Sequence, residues 1–162
     1  MIKRVFTQTF TVVGAIIERG GKILLVKEAK ATADNGKWNH PAGWLDVGEN
    51  PVDGAKREVE EETGFSFTPT GILGIYSLLR NDLLKAGEKI RHPVKIIFLG
   101  NISDEKIREL EEDISETKWF TKEEIENMDS ATLRDADIKK MVKDYFSGKK
   151  YPLDVISHSE SE

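Results

Sequence analysis

Apolar residues alternate with polar ones in short segments along the first half of the chain, which predicts β-strands there. Phe6 to Glu18 and Lys22 to Lys27 are rich in β-branched and aromatic residues and flank Gly20-Gly21, a combination typical of a β-hairpin. Trp38 to Asp46 is predicted to form a short strand that enters a loop. Further strands are predicted at residues 72–79, 94–101 and 117–120.

A helical period replaces this alternation in residues 50–63. Val52, Ala55 and Val59 lie three and four residues apart, so they share one face, and that face is predicted to pack on the core. Two further helices are predicted at residues 122–128 and 133–146.

Capping residues mark the predicted helix ends. Asn50 is suited to the N-cap of the first helix, Pro51 to its first turn and Gly64 to a left-handed C-cap. Thr121 followed by Glu124 is the sequence of a capping box. Both helices are therefore predicted with defined starting points.

Strands interspersed with helices predict an α/β fold, in which a mixed β-sheet is flanked by helices on both faces. The chain has 162 residues, which fits one domain. We expect that domain to span residues 1–147. A C-terminal tail, residues 148–162, is expected to be ordered at 151–156 and frayed at its end.

Composition narrows the possible functions. The chain has no cysteine, which excludes disulfides, thiolate metal sites and cysteine nucleophiles. A net charge of −5 argues against a sequence-independent nucleic-acid binder. No apolar run reaches membrane length, and polar residues such as Thr7 and Gln8 interrupt the apolar start of the chain, so neither a membrane span nor a signal peptide is predicted. We therefore expect a cytoplasmic location.

The first helix carries an acidic cluster that is unfavourable without a counter-charge. Glu58, Glu61 and Glu62 are three and four residues apart, so their carboxylates lie on one face. Like charges at this spacing destabilise a helix by about 0.2–0.5 kcal/mol per pair, and Gly54 costs about 1 kcal/mol relative to alanine. Hard divalent cations prefer several carboxylate oxygens, so the cluster indicates a metal site; a solvated acidic face is the alternative.

Residues 43–65, Gly-Trp-Leu-Asp-Val-Gly-Glu-Asn-Pro-Val-Asp-Gly-Ala-Lys-Arg-Glu-Val-Glu-Glu-Glu-Thr-Gly-Phe, contain a long spaced signature. A glycine, five residues and a glutamate are followed by seven residues and Arg-Glu-apolar-x-Glu-Glu-x-Gly-apolar. On this segment the chain resembles the Nudix (MutT-like) hydrolases. The matching fixed positions are Gly43, Glu49, Arg57, Glu58, Glu61, Glu62 and Gly64.

The resemblance implies an α/β/α sandwich and a hydrolase of phosphoanhydride bonds that uses Mg²⁺ or Mn²⁺. The implied metal ligands are the carboxylates of Glu58, Glu61 and Glu62 and the carbonyl of Gly43. Arg57 is implied to orient a carboxylate through a forked hydrogen bond. Glu49 is expected either to reach the metal through water or to pair with Arg57.

Glu58 is our first choice for the general base, as in the MutT branch of the family. The second is an acid in the loop Leu110 to Glu116, where the family often brings another carboxylate towards the metals. The accessory acids considered are Glu49, Glu112, Asp113 and Glu116.

Residues outside the signature bear on the substrate. Trp38-Asn39-His40-Pro41-Ala42-Gly43 and the tail Tyr151 to Ile156 resemble a branch of bacterial phosphatases that act on nucleoside di- and triphosphates and on a thiamin-precursor pyrophosphate. Lys95 and Arg80 are candidate phosphate contacts, and Trp38 is a candidate for stacking on a base. The alternatives are a structural salt bridge or an edge-facing position for Lys95, a solvated loop for Arg80 and a core position for Trp38.

The sequence thus predicts a metal-dependent phosphatase for nucleoside di- and triphosphates or related small pyrophosphates. A MutT-like pyrophosphohydrolase of nucleoside triphosphates is one alternative, and an inactive nucleotide-binding sensor is another. The acidic composition argues against an enzyme that acts on RNA ends. The oligomeric state is not predicted.

Overall fold

The computed structural model describes residues 10–29, 34–80 and 92–161. The strands are β1 (Thr11–Ile16), β2 (Glu18–Arg19), β3 (Lys22–Glu28), β4 (Trp38–Asn39), β5 (Ala42–Trp44), β6 (Phe65–Ser77), β7 (Val94–Lys106) and β8 (Ile114–Thr121). The helices are α1 (Pro51–Thr63), α2 (Lys122–Asn127) and α3 (Ile138–Phe146), and a 3₁₀ turn spans Leu153–Val155.

The strands form two sheets. The first has the order β5-β1-β7-β6 and is mixed, because β1 runs parallel to β7 and the other pairs are antiparallel. In the second, β3 pairs with β2, β4 and β8, all antiparallel. The first apolar segment passes from one sheet to the other at Ile17, and its hairpin with β3 turns at Gly20-Gly21, as predicted.

Side-chain alternation along these strands builds a core on each face. Val13, Ala15 and Ile17 pack in one core with Ala55 and Val59 of α1. Ile16 points the other way, into a second core that contains Ile125 of α2 and Ile138, Met141 and Val142 of α3. The structure therefore confirms mixed strands flanked by helices on both sides.

The last helix is shorter than predicted. The apolar pattern indicated a helix from Leu133, but α3 begins at Ile138 and residues 129–137 form a loop. The carboxylate of Asp129 accepts hydrogen bonds from the backbone N–H groups of Ala131 and Thr132, at 3.0 Å each, which stabilises a turn there. Leu133 is buried where it forms a β-bridge with Trp38, and it does not belong to a helix.

The C-terminal tail covers part of a sheet edge. β6 is an outer strand of the first sheet, and Ile72 on it exchanges two backbone hydrogen bonds of 2.8 Å with Tyr151. The predicted capping box of α2 is present: Thr121 Oγ1 accepts from the Glu124 N–H at 3.1 Å, and the Glu124 carboxylate accepts from the Thr121 N–H at 2.6 Å. None of the helices in the described ranges has the length and apolar character needed to cross a membrane.

Candidate active site

Local signals fix helix α1 in place. Asn50 Oδ1 accepts a hydrogen bond from the Val52 N–H at 2.9 Å, and Gly64 ends the helix in the left-handed region, at φ 78°. Ala55 and Val59 are fully buried. The predicted caps and core face of this helix are thus confirmed, and its acidic face is held in a defined orientation.

Gly54 allows the preceding loop to lie directly on the helix. A Cβ at this position would come within 2.8 Å of the Glu49 carboxylate and 2.9 Å of the Leu45 side chain. The cost of a glycine in the helix interior is therefore offset by the close approach of a loop, which brings Glu49 beside Arg57.

Two of the signature glutamates point at the segment that contains β5. The Glu58 carboxylate lies against Gly43, so closely that a Cβ on Gly43 would overlap it. Glu62 Oε2 accepts a hydrogen bond from the backbone N–H of Ala42 at 2.9 Å. The structure therefore brings the glycine of the signature together with its central glutamates.

Arg57 connects the carboxylates to each other. Its Nε and Nη2 form a fork on Glu49, at 2.8 and 2.9 Å, as the resemblance implied for this arginine. Its Nη1 donates to Glu58 at 2.6 Å and to Glu61 at 3.1 Å, and its Nη2 also donates to the carbonyl of Trp44 at 3.1 Å. One guanidinium thus sets the positions of three acids and of the strand beside them.

The protein alone does not neutralise this cluster. The pKa of Glu58 is raised to about 7, mainly by burial and to a smaller extent by Glu61 and Glu111, in spite of the nearby Arg57. Burial also raises the pKa of Glu62 well above its ordinary value. The site therefore has a deficit of positive charge where these two carboxylates meet.

These residues fit a hard divalent cation by chemistry. The site offers only oxygen ligands, three of them carboxylates, and its charge deficit is what a bound cation would remove. Across the described residues, no three acids form a preassembled metal cage. Arg57 instead binds Glu58 and Glu61, and the Ala42 N–H binds Glu62.

The accessory acids are placed as follows. Glu49 is fully engaged by Arg57, which lowers its pKa. Glu116 pairs with Lys27 at 3.6 Å, Glu112 is exposed and Asp113 is half-buried. In the same loop, the Glu111 N–H donates to the Glu61 carbonyl at 3.1 Å, and the Glu111 charge raises the pKa of Glu58. Glu111 is therefore the loop acid that the structure brings to the signature, although the sequence did not single it out.

The three candidate substrate contacts have structural roles. Trp38 is only 8% exposed and packs edge-to-face on Phe120, with ring centroids 4.8 Å apart, so its place is in the core. Lys95 Nζ lies 2.5 Å from Asp135 and 3.1 Å from Asp137. Trp38 and Lys95 thus have the contacts expected for a core residue and a structural ion pair, and their contact with substrate stays a prediction.

Arg80 is buried as well, and it bridges Asp135 at 2.7 Å and Asp34 at 2.9 Å. Arg134 continues the chain of ion pairs from Asp34, at 3.1 Å, to Glu28, at 2.7 Å. The result is a network of four carboxylates (Glu28, Asp34, Asp135, Asp137) and three cations (Arg80, Lys95, Arg134).

A small pocket separates this network from the signature residues. Its volume is about 60 Å³, and its lining includes Gly43, Trp44, Asn39, His40 and Lys95. His40 is 1% exposed and neither ring nitrogen has a partner among the described residues; the same holds for Asn39 Oδ1. In the sequence, His40 is marked only by its position between Trp38 and Gly43.

A larger cavity of about 530 Å³ also borders Arg80 and Arg134. Its lining combines apolar side chains, among them Leu78, Met128 and Leu133, with polar and charged ones. None of the seven signature residues lines it, so it is separate from the acidic cluster.

The chain is similar in sequence to known proteins over most of its length. A family model described as NUDIX domain matches residues 8–145. The chain is 32% identical over 149 residues to the phosphatase NudJ of Escherichia coli, covering 89% of this chain and 88% of that protein.

Solved structures give the same result. A Nudix hydrolase from Nitrosomonas europaea superposes with a TM-score of 0.79 at 35% identity, covering 92% of this chain and 96% of that one. A MutT protein from Methanosarcina mazei superposes with a TM-score of 0.70 at 25% identity, covering 90% and 98%.

Proposed function

The chain belongs to the Nudix family of hydrolases, and from that premise we propose that it is a divalent-metal-dependent phosphatase that releases orthophosphate from nucleoside di- and triphosphates. The activity common to this family and its relatives, hydrolysis of phosphoanhydrides, is the basis of the proposal. To this shared activity the proposal adds the dependence on a metal, the class of substrate and the bond that is cleaved.

The observation that carries the metal dependence is the charge deficit at Gly43. Glu58 and Glu62 are 8% and 9% exposed, and their raised pKa values show that one arginine does not compensate their charge. Glu58, Glu61 and Glu62, with the Gly43 carbonyl, would hold Mg²⁺ or Mn²⁺. When bound, the metal would neutralise phosphate oxygens and lower the pKa of an attacking water.

The protein's own groups supply orientation and proton transfer. Arg57 holds Glu58, Glu61 and Glu49 in fixed positions, so that the acids are organised before substrate binds. We assign Glu58 as the general base, because its carboxylate lies against Gly43 in the acidic cluster and Arg57 holds it there. Glu111 is the second candidate, since its backbone N–H donates to the Glu61 carbonyl and its charge acts on Glu58.

The similarity to phosphatase NudJ over most of both chains favours release of orthophosphate. A MutT-like pyrophosphohydrolase, which would release pyrophosphate and a nucleoside monophosphate, is the second candidate because the structure also superposes on a MutT protein. In both cases the substrate is a small molecule.

A product assay distinguishes the candidates. Purified protein is incubated with nucleoside di- and triphosphates and either Mg²⁺, Mn²⁺ or EDTA, and orthophosphate and pyrophosphate are measured separately. Orthophosphate from both substrate classes, abolished by EDTA, supports the proposal. Pyrophosphate as the inorganic product would replace it with the MutT-like reaction.

Substitutions then test the residue roles. Glu58→Gln and Glu61→Gln are expected to lower turnover by at least about 100-fold. Glu123→Gln, on an exposed position of α2, is the matched control. Nucleotide binding without turnover of any substrate would instead identify a sensor.

A further inference from the structure

The pocket beside Gly43 contains buried polar atoms that lack partners. Asn39 and His40 are 2% and 1% exposed, and Asn39 Oδ1, His40 Nδ1 and His40 Nε2 make no hydrogen bond within the described part of the chain. Buried polar groups are normally hydrogen-bonded, because each unsatisfied group is costly. Three such atoms on two neighbouring residues of one pocket indicate that something polar binds there.

The hydrogen-bonding capacity of these atoms can be counted. Burial lowers the pKa of His40 to about 3, so the ring is neutral and offers one donor and one acceptor. The Asn39 side chain lies near Glu28 and acts to lower the pKa of that carboxylate. Since a carboxylate only accepts, the amide N–H₂ faces Glu28 and Oδ1 remains an acceptor. The pocket therefore presents one donor and two acceptors, and its complement has two donors and one acceptor.

The surrounding charges disfavour an anion in this position. Lys95 and Arg134, which line the pocket, are both engaged by carboxylates. A phosphate would have to break these existing ion pairs, whereas a neutral polar group would not.

The size of the pocket limits what enters it. A volume of about 60 Å³ admits the polar edge of a ring, or about two water molecules, but not a whole nucleobase. Trp44 also lines the pocket and is 43% exposed, so it lies at the open side, where it can contact the face of a ring. Gly43 belongs to both the pocket and the acidic cluster, so a ligand here adjoins the proposed reaction centre.

We propose that Asn39 and His40 select the amino-bearing edge of a nitrogen heterocycle in the substrate. An exocyclic amine next to a ring nitrogen, as in cytosine or adenine, supplies the two donors and one acceptor that the pocket lacks. The corresponding keto rings, uracil and hypoxanthine, leave one acceptor unsatisfied. This selectivity rests on the proposed nucleotide phosphatase function.

The test compares matched nucleotide pairs that differ only in amino against keto. We expect kcat/KM of the wild type to be at least about tenfold higher for CTP than for UTP, and for ATP than for ITP. His40→Leu is expected to bring both ratios close to one. His40→Gln, which retains a donor and an acceptor, is expected to keep part of the preference, and His158→Phe, on an exposed position of the tail, to keep all of it.

A second measurement needs neither turnover nor a variant. The ¹⁵N resonances of the His40 ring are followed in metal-free wild-type protein during titration with CMP and with UMP, and CMP is expected to shift them at lower concentration. Equal kcat/KM within both nucleotide pairs would overturn the proposal, and bound water would then be the occupant of the pocket. Loss of selectivity in Met128→Gln but not in His40→Leu would also overturn it, by placing the ring in the larger cavity. Absence of all hydrolysis would refute the phosphatase function, while the titration would still test the pocket.

Discussion

Removal of the Asp135 carboxylate tests whether the buried ion pairs are structural. Asp135 is 7% exposed and accepts from Lys95 at 2.5 Å and from Arg80 at 2.7 Å. In Asp135→Asn the side chain keeps its size but loses its charge, and its amide has one oxygen where the carboxylate used two. Lys95 retains Asp137, and Arg80 retains Asp34, but one of the two buried donors that Asp135 accepted from now faces the amide NH₂ instead of an oxygen.

The expected loss of stability follows from this burial. Breaking one partner of a buried ion pair costs about 3–5 kcal/mol, a large part of the 5–15 kcal/mol that stabilises a typical domain. For a chain of this size, each kcal/mol lowers Tm by about 2–4 °C, so we expect Tm to fall by about 6–20 °C. The expected position is the lower half of that range, because each cation keeps one carboxylate.

The loss should depend on pH in a defined direction. Burial acts to raise the pKa of Asp135, but Lys95, Arg134 and Arg80 together outweigh it and leave the pKa below its ordinary value. The ionised carboxylate therefore stabilises the fold above the unfolded pKa of about 3.9, and this contribution disappears as the pH falls through the lower folded pKa. The difference between wild type and Asp135→Asn should be constant near neutrality and shrink below about pH 4.

Urea and thermal unfolding, both followed by tryptophan fluorescence, measure the free energy of unfolding and the Tm of Asp135→Asn and of the wild type. Asp104→Asn is the matched control, because that carboxylate is 97% exposed and makes only a 3.4 Å contact with Arg19. We expect no measurable change in the control. A Tm of Asp135→Asn within about 1 °C of the wild type would refute the structural assignment and return Lys95 to the list of candidate substrate contacts.

Three further predictions concern the site. Arg57→Lys keeps the charge but cannot form the fork on Glu49, so kcat/KM should fall by about 10- to 100-fold, whereas Lys56→Arg, next to it and exposed, should not change it. Gly54→Ala should not give the stability gain of about 1 kcal/mol that is usual in a helix interior, because the new Cβ would lie 2.8 Å from the Glu49 carboxylate. Urea midpoints of Gly54→Ala with and without Glu49→Ala would show whether the Glu49 side chain is the obstacle. Burial lowers the pKa of His40 to about 3, so below pH 6.5 the unfolded chain binds a proton at this residue that the folded chain does not. The free energy of unfolding of the wild type should therefore rise by about 1.4 kcal/mol per pH unit from this group, and His40→Gln should remove that slope between pH 4.5 and 6.5.

The parts of the molecule that were predictable are those specified by local signals. The helix α1 has its N-cap, its proline, its buried face and its terminal glycine within fifteen residues, and the acids follow from its period. The pairing of Arg57 with Glu49 was one of two alternatives that the family resemblance implied, and the structure contains it.

Other features depended on contacts between distant segments. Lys95 and Asp135 are 40 positions apart, so nothing near Lys95 in the chain indicates its partner. The same ion pairs hold the loop before α3, where the apolar pattern alone favoured five more helical residues. His40 acquires its significance only because the fold buries it without a partner.

The bridge between Ile72 and Tyr151 has a consequence for the solution behaviour of the chain. An outer strand with open backbone groups can template the addition of a strand from another molecule, which leads to domain swapping or fibrils. β6 is such a strand and carries Ile75, which is 71% exposed. Pro69 and three shifts of register interrupt it, and the tail occupies the hydrogen-bonding groups of Ile72. The C-terminal segment therefore limits self-assembly along this edge by pairing with it first.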